Sequence, residues 1–470
     1  MAPFGFSAIA NVRKNIFLQN FYTQFLLFKP VKNTGNMGKH KRLKIIWSSH
    51  PFDFVILLSI KTQTMEYYTH QLSNGIRIIH APVESEVAHC GLIINAGSRD
   101  EMESEQGIAH FVEHLIFKGT RKRKAFHILS RMDDVGGEIN AYTSKEETCV
   151  HSSFLHKDYE RSLELLSDIT FNSIFPDKEM VKEKDVIIDE INSYKDNPSE
   201  SIYDDFEELV FEGQPLGRNI LGTPEMLQSF SKGDIENFIE RTYLPHEMVI
   251  TSIGNIPFDR LIQLTEKHFG HITGSSKSQK RVPFNGYVPQ KKTLHRQTNQ
   301  AHCIIGNIAP GLYHPRRIAM TLLENLIAGP GLNSRLNMLL REKLGYVYHV
   351  ESSYTPFSDT GLFTLYFGAE KSRVNKTLEH IYREFERLRT IPLGKMQLRK
   401  AKRQLFGQLA ISSENPSVRM IANGKSYLML NRVDSMGEIH EKIEAITAKE
   451  LMDIARDVLD PQKLSTLTYL

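Results

Sequence analysis

The stretch GIAHFVEHLIFKGT, residues 107–120, sets two histidines and a glutamate into five residues of an otherwise apolar run. The fold turns on why a helix built for burial carries them. At about 100° per residue, His110 and His114 lie one turn apart, about 40° from each other, and Glu113 sits about 60° from His110 on the other side. All three project from one face. Two imidazoles at i and i+4 can grip one zinc ion, and a neighbouring carboxylate can take the proton of a water that the metal acidifies, which is metallopeptidase chemistry. A catalytic zinc takes three protein ligands and keeps one position open, so the motif requires a carboxylate from elsewhere in the chain.

VKEKDVIIDEI, residues 181–191, offers two such groups. Glu183 and Glu190 are seven residues apart, about 20° from alignment on a helix. Glu190 lies among Ile187, Ile188 and Ile191, where an unpaired carboxylate is costly. Metal ligation accounts for its place; an amphipathic helix with solvated acids is the alternative.

The order of strand and helix signals then repeats. EVAHCGLIINAG and ETCVHSSFLH read as strands and GIAHFVEHLIF, DKEMVKEKDVIIDEINSYK and SIYDDFEELVF as helices. Beyond a Gly, Pro and Ser-rich linker come HCIIGNIAPG, IAMTLLENLIAG, YVYHVESSYT, GLFTLYFGAE and KMQLRKAKRQLFGQLAISSENPS. Asn-Pro-Ser occurs at 197–199 and at 415–417, an offset of 218 that also superposes the preceding helices. This is an internal duplication into two α+β halves. Its second copy has Thr321 and Asn325 where the first has histidines, and Gln408 opposite Glu190, so no metal site is expected there. The division read from the chain is an extension at 1–64, a zinc-binding half at 65–275, a linker at 276–292 and an inactive half at 293–470.

Composition narrows the function. With 58 basic and 55 acidic residues the net charge is +3, which gives no electrostatic case for nucleic acid. The apolar run FVILLSI, residues 54–60, is far shorter than the roughly 20 residues a membrane span needs, so no membrane partner is expected. Three scattered cysteines, Cys90, Cys149 and Cys303, fit a reducing compartment. Residues 1–52 contain eight Lys or Arg and no acid. An organellar presequence, a poor signal peptide and upstream sequence before a start at Met65 all fit that segment. The expected location is the cytoplasm, with the mitochondrial matrix as the alternative. The basic cluster KGTRKRKAF, residues 118–126, reads as a solvated loop after the motif helix.

HFVEH, with AGSRDE (96–101), FKGT, NAYTS and EKDVIIDE, resembles the pitrilysin and insulinase family of inverzincin peptidases. The likeness spans nearly all of residues 65–470 and is nearest to the shorter members, such as the β subunit of mitochondrial processing peptidase and bacterial processing-peptidase-like proteins. It implies an α+β fold of two homologous α/β-sandwich halves of the LuxS/pitrilysin type, each a mostly antiparallel sheet packed with helices. It implies one Zn2+ per chain on His110, His114 and Glu190, Glu113 as general base, and Glu183 orienting the site from behind. LREKLGYVYHV resembles the segment in which an arginine and a tyrosine, here Arg341 and Tyr348, reach substrate and transition state. Asn140, Ala141, Tyr142 and Thr143 match the edge strand to which the substrate backbone adds. Glu200 and Asp204 match acids that receive a substrate arginine near the scissile bond, the alternative being an acidic helix face in water.

The expected function is that of a zinc metalloendopeptidase acting on peptides or unfolded, presequence-like segments. Two other classes fit the same resemblance: the catalytic β subunit of a heterodimeric mitochondrial processing peptidase, and a non-catalytic structural subunit of the respiratory core type. A homodimer and a heterodimer with a related subunit are both open.

Overall fold

The computed structural model describes residues 67–274 and 280–470. The extension at 1–64 and part of the linker lie outside the described residues.

The first half runs β1 (Tyr68–Gln71), β2 (Arg77–Pro82), β3 (Val87–Ile94), α1 (Ile108–Leu115), α2 (Ala125–Asp133), β4 (Glu138–Thr143), β5 (Thr148–Leu155) and α3 (Tyr159–Phe171). It continues with α4 (Asp177–Lys195), α5 (Pro198–Val210), α6 (Pro224–Ser229), α7 (Lys232–Thr242), β6 (Met248–Gly254) and α8 (Phe258–Phe269). The second half runs β7 (Lys291–Leu294), β8 (Ala301–Ala309), α9 (Arg317–Ala328), a π-helical turn (Asn337–Lys343), β9 (Val347–Pro356) and β10 (Gly361–Ala369). Then come α10 (Val374–Thr390), α11 (Lys395–Ser413), α12 (Pro416–Leu430), α13 (Met436–Ala445), α14 (Ala448–Val458) and β11 (Ser465–Tyr469).

The sheets are ordered β1-β2-β6-β3-β5-β4 and β7-β11-β8-β10-β9. Without β1 the two orders are the same, and both pair antiparallel except where β2 meets β6 and β7 meets β11. Each sheet rests on helices of its own half. One core joins β3, α1, α3 and α8 through Leu92, Phe111, Leu166 and Phe269; the other joins β8, α9, α10 and α14 through Ile305, Leu323, Phe385 and Ile454.

The opposite face of each sheet is covered from the other half. After Asn197-Pro198, α5 leaves its own sheet and packs Ile202, Phe206 and Leu209 against Ile304, Leu362 and Leu467 of the second. After Asn415-Pro416, α12 does the reverse, placing Met420, Ile421 and Leu428 on Ile79, Ile93 and Val249 of the first. Proline at the first helical position starts both helices with its φ already suitable and its missing N–H harmless. Gly306 admits the Phe206 ring, since a Cβ there would come within 2.8 Å of it; Gly424 admits Ile93, whose Cδ1 would lie 2.6 Å from a Cβ. Coverage on both faces explains why β6 and β10 are buried at every position and carry apolar runs instead of alternation. Each Leu, Ile or Phe so buried contributes roughly 1.5–3 kcal/mol.

The linker is anchored to both halves. Arg281 binds Asp100 at 2.8 and 2.9 Å and the Glu146 carbonyl at 2.7 Å. Glu146 also receives Arg99 and Ser358, and Arg99 extends to Asp359, so the ionic cluster spans first half, linker and second half. Lys291 and Lys292 already belong to β7, paired with β11. Cys90, Cys149 and Cys303 are buried and unpaired. Among the described residues, no helix is long and apolar enough to cross a membrane.

Candidate metal centre

The helix α1 opens at Gly107, whose φ of +95° is left-handed and whose missing Cβ leaves room for Gly222, 2.8 Å from where that atom would be. Its first amides would be buried without partners but for Glu101, whose carboxylate accepts from Gly107 N–H at 3.1 Å and Ala109 N–H at 3.0 Å. Burial pushes the Glu101 carboxyl up to about 8 against the pull of those amides. In the sequence Glu101 is only the last residue of AGSRDE; its pairing with these amides depends on the loop folding back on the helix.

On α1, His110 and His114 stand with ring centroids 4.6 Å apart. Glu190 arrives from α4, its carboxylate 4.0 Å from His110 Nε2 and 3.6 Å from His114 Nε2. One ligand atom from each of these three residues falls within 4.8 Å of the others, and this is the sole such metal-ligating group found among the described residues. A four-coordinate ion with ligands about 2 Å away would separate them by roughly 3.3 Å, a spacing close to that of these side chains. The other nitrogen of His114, Nδ1, faces Glu183 Oε2 at 3.1 Å, which directs Nε2 to the cluster. Glu183 Oε1 is held by Lys118 at 2.7 Å. The basic segment is a loop solvated at Arg121, Lys122 and Lys124, which are exposed, and it departs from that reading at Lys118 and Arg123, which are half-buried. Lys118 braces the site, and Arg123 binds Glu164 and Asp168.

The electrostatics favour a cation. Burial pushes Glu190 up to about 7, with Glu113 adding to the rise and His114 opposing it. Burial likewise raises Glu113, while the charge of His114 draws it back. Burial and the His114 charge depress His110 well below the ordinary imidazole value, so it is neutral with a lone pair to give. Burial would lower His114 too, but its hydrogen bond to Glu183 and the charges of Glu113 and Glu190 raise it. Burial opposes ionisation of Glu183, yet the bonds from His114 and Lys118 prevail and lower it. Three carboxylates, Glu113, Glu183 and Glu190, against Lys118 and His114 leave a deficit of positive charge that a divalent cation makes good. Two imidazoles and a carboxylate suit zinc.

Asn140, Ala141, Tyr142 and Thr143 lie in β4, the edge of its sheet, with one backbone rim paired to β5. Arg341 and Tyr348 stand together in the second half, the guanidinium 5.8 Å from the ring centroid. Arg341 belongs to the π-helical turn. Tyr348 is the extra residue of a β-bulge, since Gly368 pairs with His349 and Ala369 with Val347. The bulge turns Tyr348 out to 81% exposure on the edge strand β9. Neither residue makes a hydrogen bond or ion pair to the His110 cluster among the described residues. Glu200 and Asp204 are half-buried on α5. Between them Tyr203 donates to Glu351 at 2.5 Å, and Glu351 holds His349, next to Tyr348, at 3.0 Å. α5 thus joins the acidic pair to the bulge, a connection that no sequence spacing announced.

The second half keeps the shape of the site without its ligands. Asn325 donates to Gln408 at 2.7 Å, where His114 faces Glu190 in the first half.

The description Insulinase (Peptidase family M16) matches residues 78–224, and Peptidase M16 inactive domain matches residues 229–405. The uncharacterized zinc protease YmxG of Bacillus subtilis is 33% identical, over 83% of this chain and 95% of that protein. The uncharacterized zinc protease SCO5738 of Streptomyces coelicolor is 32% identical, over 83% of this chain and 86% of that one. Among solved structures, a protease from Helicobacter pylori aligns with a TM-score of 0.80 at 21% identity, over 86% of this chain and 99% of that one. A peptidase M16 inactive domain from Pseudomonas fluorescens aligns at 0.77 and 16% identity, over 86% and 98%.

Proposed function

We propose a zinc metalloendopeptidase, starting from the fact that this chain belongs to the insulinase family of peptidases, family M16, whose relatives here are named zinc proteases. The observation that carries the reading is the meeting of His110, His114 and Glu190 within 4.8 Å, with Glu113 on the same helix. These three residues hold one zinc ion per chain. The ion, when bound, supplies the Lewis acidity that lets a water lose its proton near neutral pH. Glu113 takes that proton and returns it to the amine of the broken peptide bond. Glu183 fixes the ring orientation of His114. The free rim of β4 pairs with an extended substrate segment through Asn140, Ala141, Tyr142 and Thr143, and main-chain pairing makes peptides or unfolded segments the substrate class. Arg341 and Tyr348 donate hydrogen bonds to substrate carbonyl groups as negative charge develops.

Loading the purified chain with zinc and assaying a quenched-fluorescent peptide tests this. We expect one zinc per chain, cleavage at an internal bond, and a Glu113→Gln variant that keeps its zinc and loses roughly 10²–10⁴-fold in turnover. Full activity in that variant would overturn the mechanism.

Specificity follows from α5. Glu200 and Asp204, one helical turn apart, suit a guanidinium that both carboxylates can bond, and lysine serves less well. Cut sites in a peptide library should lie a residue or two after arginine, and that preference should fade in the Glu200→Gln/Asp204→Asn double variant. A preference that is absent, or unchanged in the double variant, removes this assignment and leaves the zinc peptidase standing.

A further inference from the structure

We infer that the second half sets the position of β4 through Lys425, a buried lysine that the crossed helix α12 plants beneath that strand. Lys425 is 5% exposed, and its ammonium pairs with Glu147, itself 7% exposed, across the boundary between the halves. Glu147 closes the turn from β4 to β5, where Ser144 N–H donates to the Glu147 carbonyl at 2.8 Å. The same Glu147 carboxylate accepts the Tyr142 hydroxyl at 3.1 Å, and the Lys425 ammonium lies 5.3 Å from the centroid of the Tyr142 ring. One lysine of the second half therefore grips both the turn and the strand.

The grip reaches the site through strand geometry. Successive side chains of a strand point to opposite faces. Tyr142 points down into the cluster it shares with Met420 and Ile421 of α12. Thr143, the next residue, belongs to the opposite face, and β4 packs against α1. The seat of Tyr142 on α12 fixes the level at which β4 meets α1 and at which its open rim is presented. An edge strand lacks a second neighbour to hold it in register. On the far side, the loop after β3 holds the main chain of the turn, through Ser98 N–H to Ser144 O at 3.1 Å and Arg99 N–H to Lys145 O at 2.8 Å, and the Arg99 side chain binds Glu146 at 2.6 Å. Lys425 adds the anchor for Glu147 and, through it, for the Tyr142 side chain of the strand itself. A buried ion pair that links two separately built halves is strongly disfavoured when one partner is removed, because the other charge stays buried. The pair thus works as a positioning device, and its consequence for substrate rests on the peptidase reading above.

The test uses the full zinc-loaded chain and its Lys425→Met and Lys425→Arg variants, with hydrogen exchange of the β4 and β6 amides, zinc content, kcat and KM. In Lys425→Met we expect β4 to exchange at least about tenfold faster while β6 holds, because local opening is resolved element by element. Zinc content should stay unchanged and KM should rise more than kcat falls. Lys425→Arg should recover most of both effects. Should Lys425→Met fail to fold, Glu147→Gln, which keeps the shape of the side chain, reads the same exchange. Unchanged β4 exchange, or equal loosening of β4 and β6, would overturn the clamp. If the wild-type chain cleaves no peptide, the peptidase reading falls and exchange alone decides the clamp.

Discussion

Glu324 occupies in the second half the place that Glu113 holds in the first, between Thr321 and Asn325. It is 2% exposed and accepts a hydrogen bond from Ser352 at 3.0 Å. Burial pushes its carboxyl up to about 8, so the folded chain holds this proton far more tightly than the unfolded chain does. The stability it contributes is full below the ordinary glutamate value and is lost as pH rises toward about 8. Glu324→Gln removes that dependence. The variant should gain in Tm relative to the parent as pH rises from 5 to 8, and a constant difference between them across that range would show that Glu324 is not held protonated. The substituted ligands were legible as Thr321, Asn325 and Gln408. The hydrogen bond joining Asn325 to Gln408 was not, because which amide meets which depends on how two helices pack.

At the scale of elements, α1 owes its position to the loop before it. Gly107 works because it adopts positive φ and because Gly222 sits against it. An alanine there meets both the steric cost of that φ and a backbone contact of 2.8 Å that no side-chain rotation relieves. Gly107→Ala should therefore destabilise the chain by about 1–3 kcal/mol in denaturant unfolding and weaken zinc binding. Parental values for both would refute this account of the helix start. The apolar periodicity of residues 107–117 located this helix, because it is a local signal. The bulge at Tyr348 and the π-helical turn holding Arg341 had no local signature. Each is an irregularity of pairing or winding that depends on the neighbouring strand or turn.

At the scale of the molecule, the two halves are bound by crossed helices and by the ionic cluster around Arg281. Arg341→Ala and Tyr348→Phe should lower kcat by about 100–1000-fold, the range for loss of one stabilising donor. Zinc content and melting temperature should stay at the parental level, since both side chains lie outside the metal cluster and Tyr348 is 81% exposed. Metal loss in either variant would mean that the halves do not divide the work in this way.

The sequence by itself determined the duplication, the alternation of strands and helices, and the helix face shared by His110, Glu113 and His114. All of these rest on spacing along the chain, and local geometry converts spacing into direction. Glu190 was reachable because an acid among isoleucines is costly without a partner. Tertiary structure alone decided which half covers which sheet, that Lys118 braces Glu183, that Glu101 receives the first amides of α1, and that Lys425 sits beneath Tyr142. Each of these joins residues whose meeting depends on how whole elements pack, and no periodicity in a single chain records a contact between helices that cross from one half to the other.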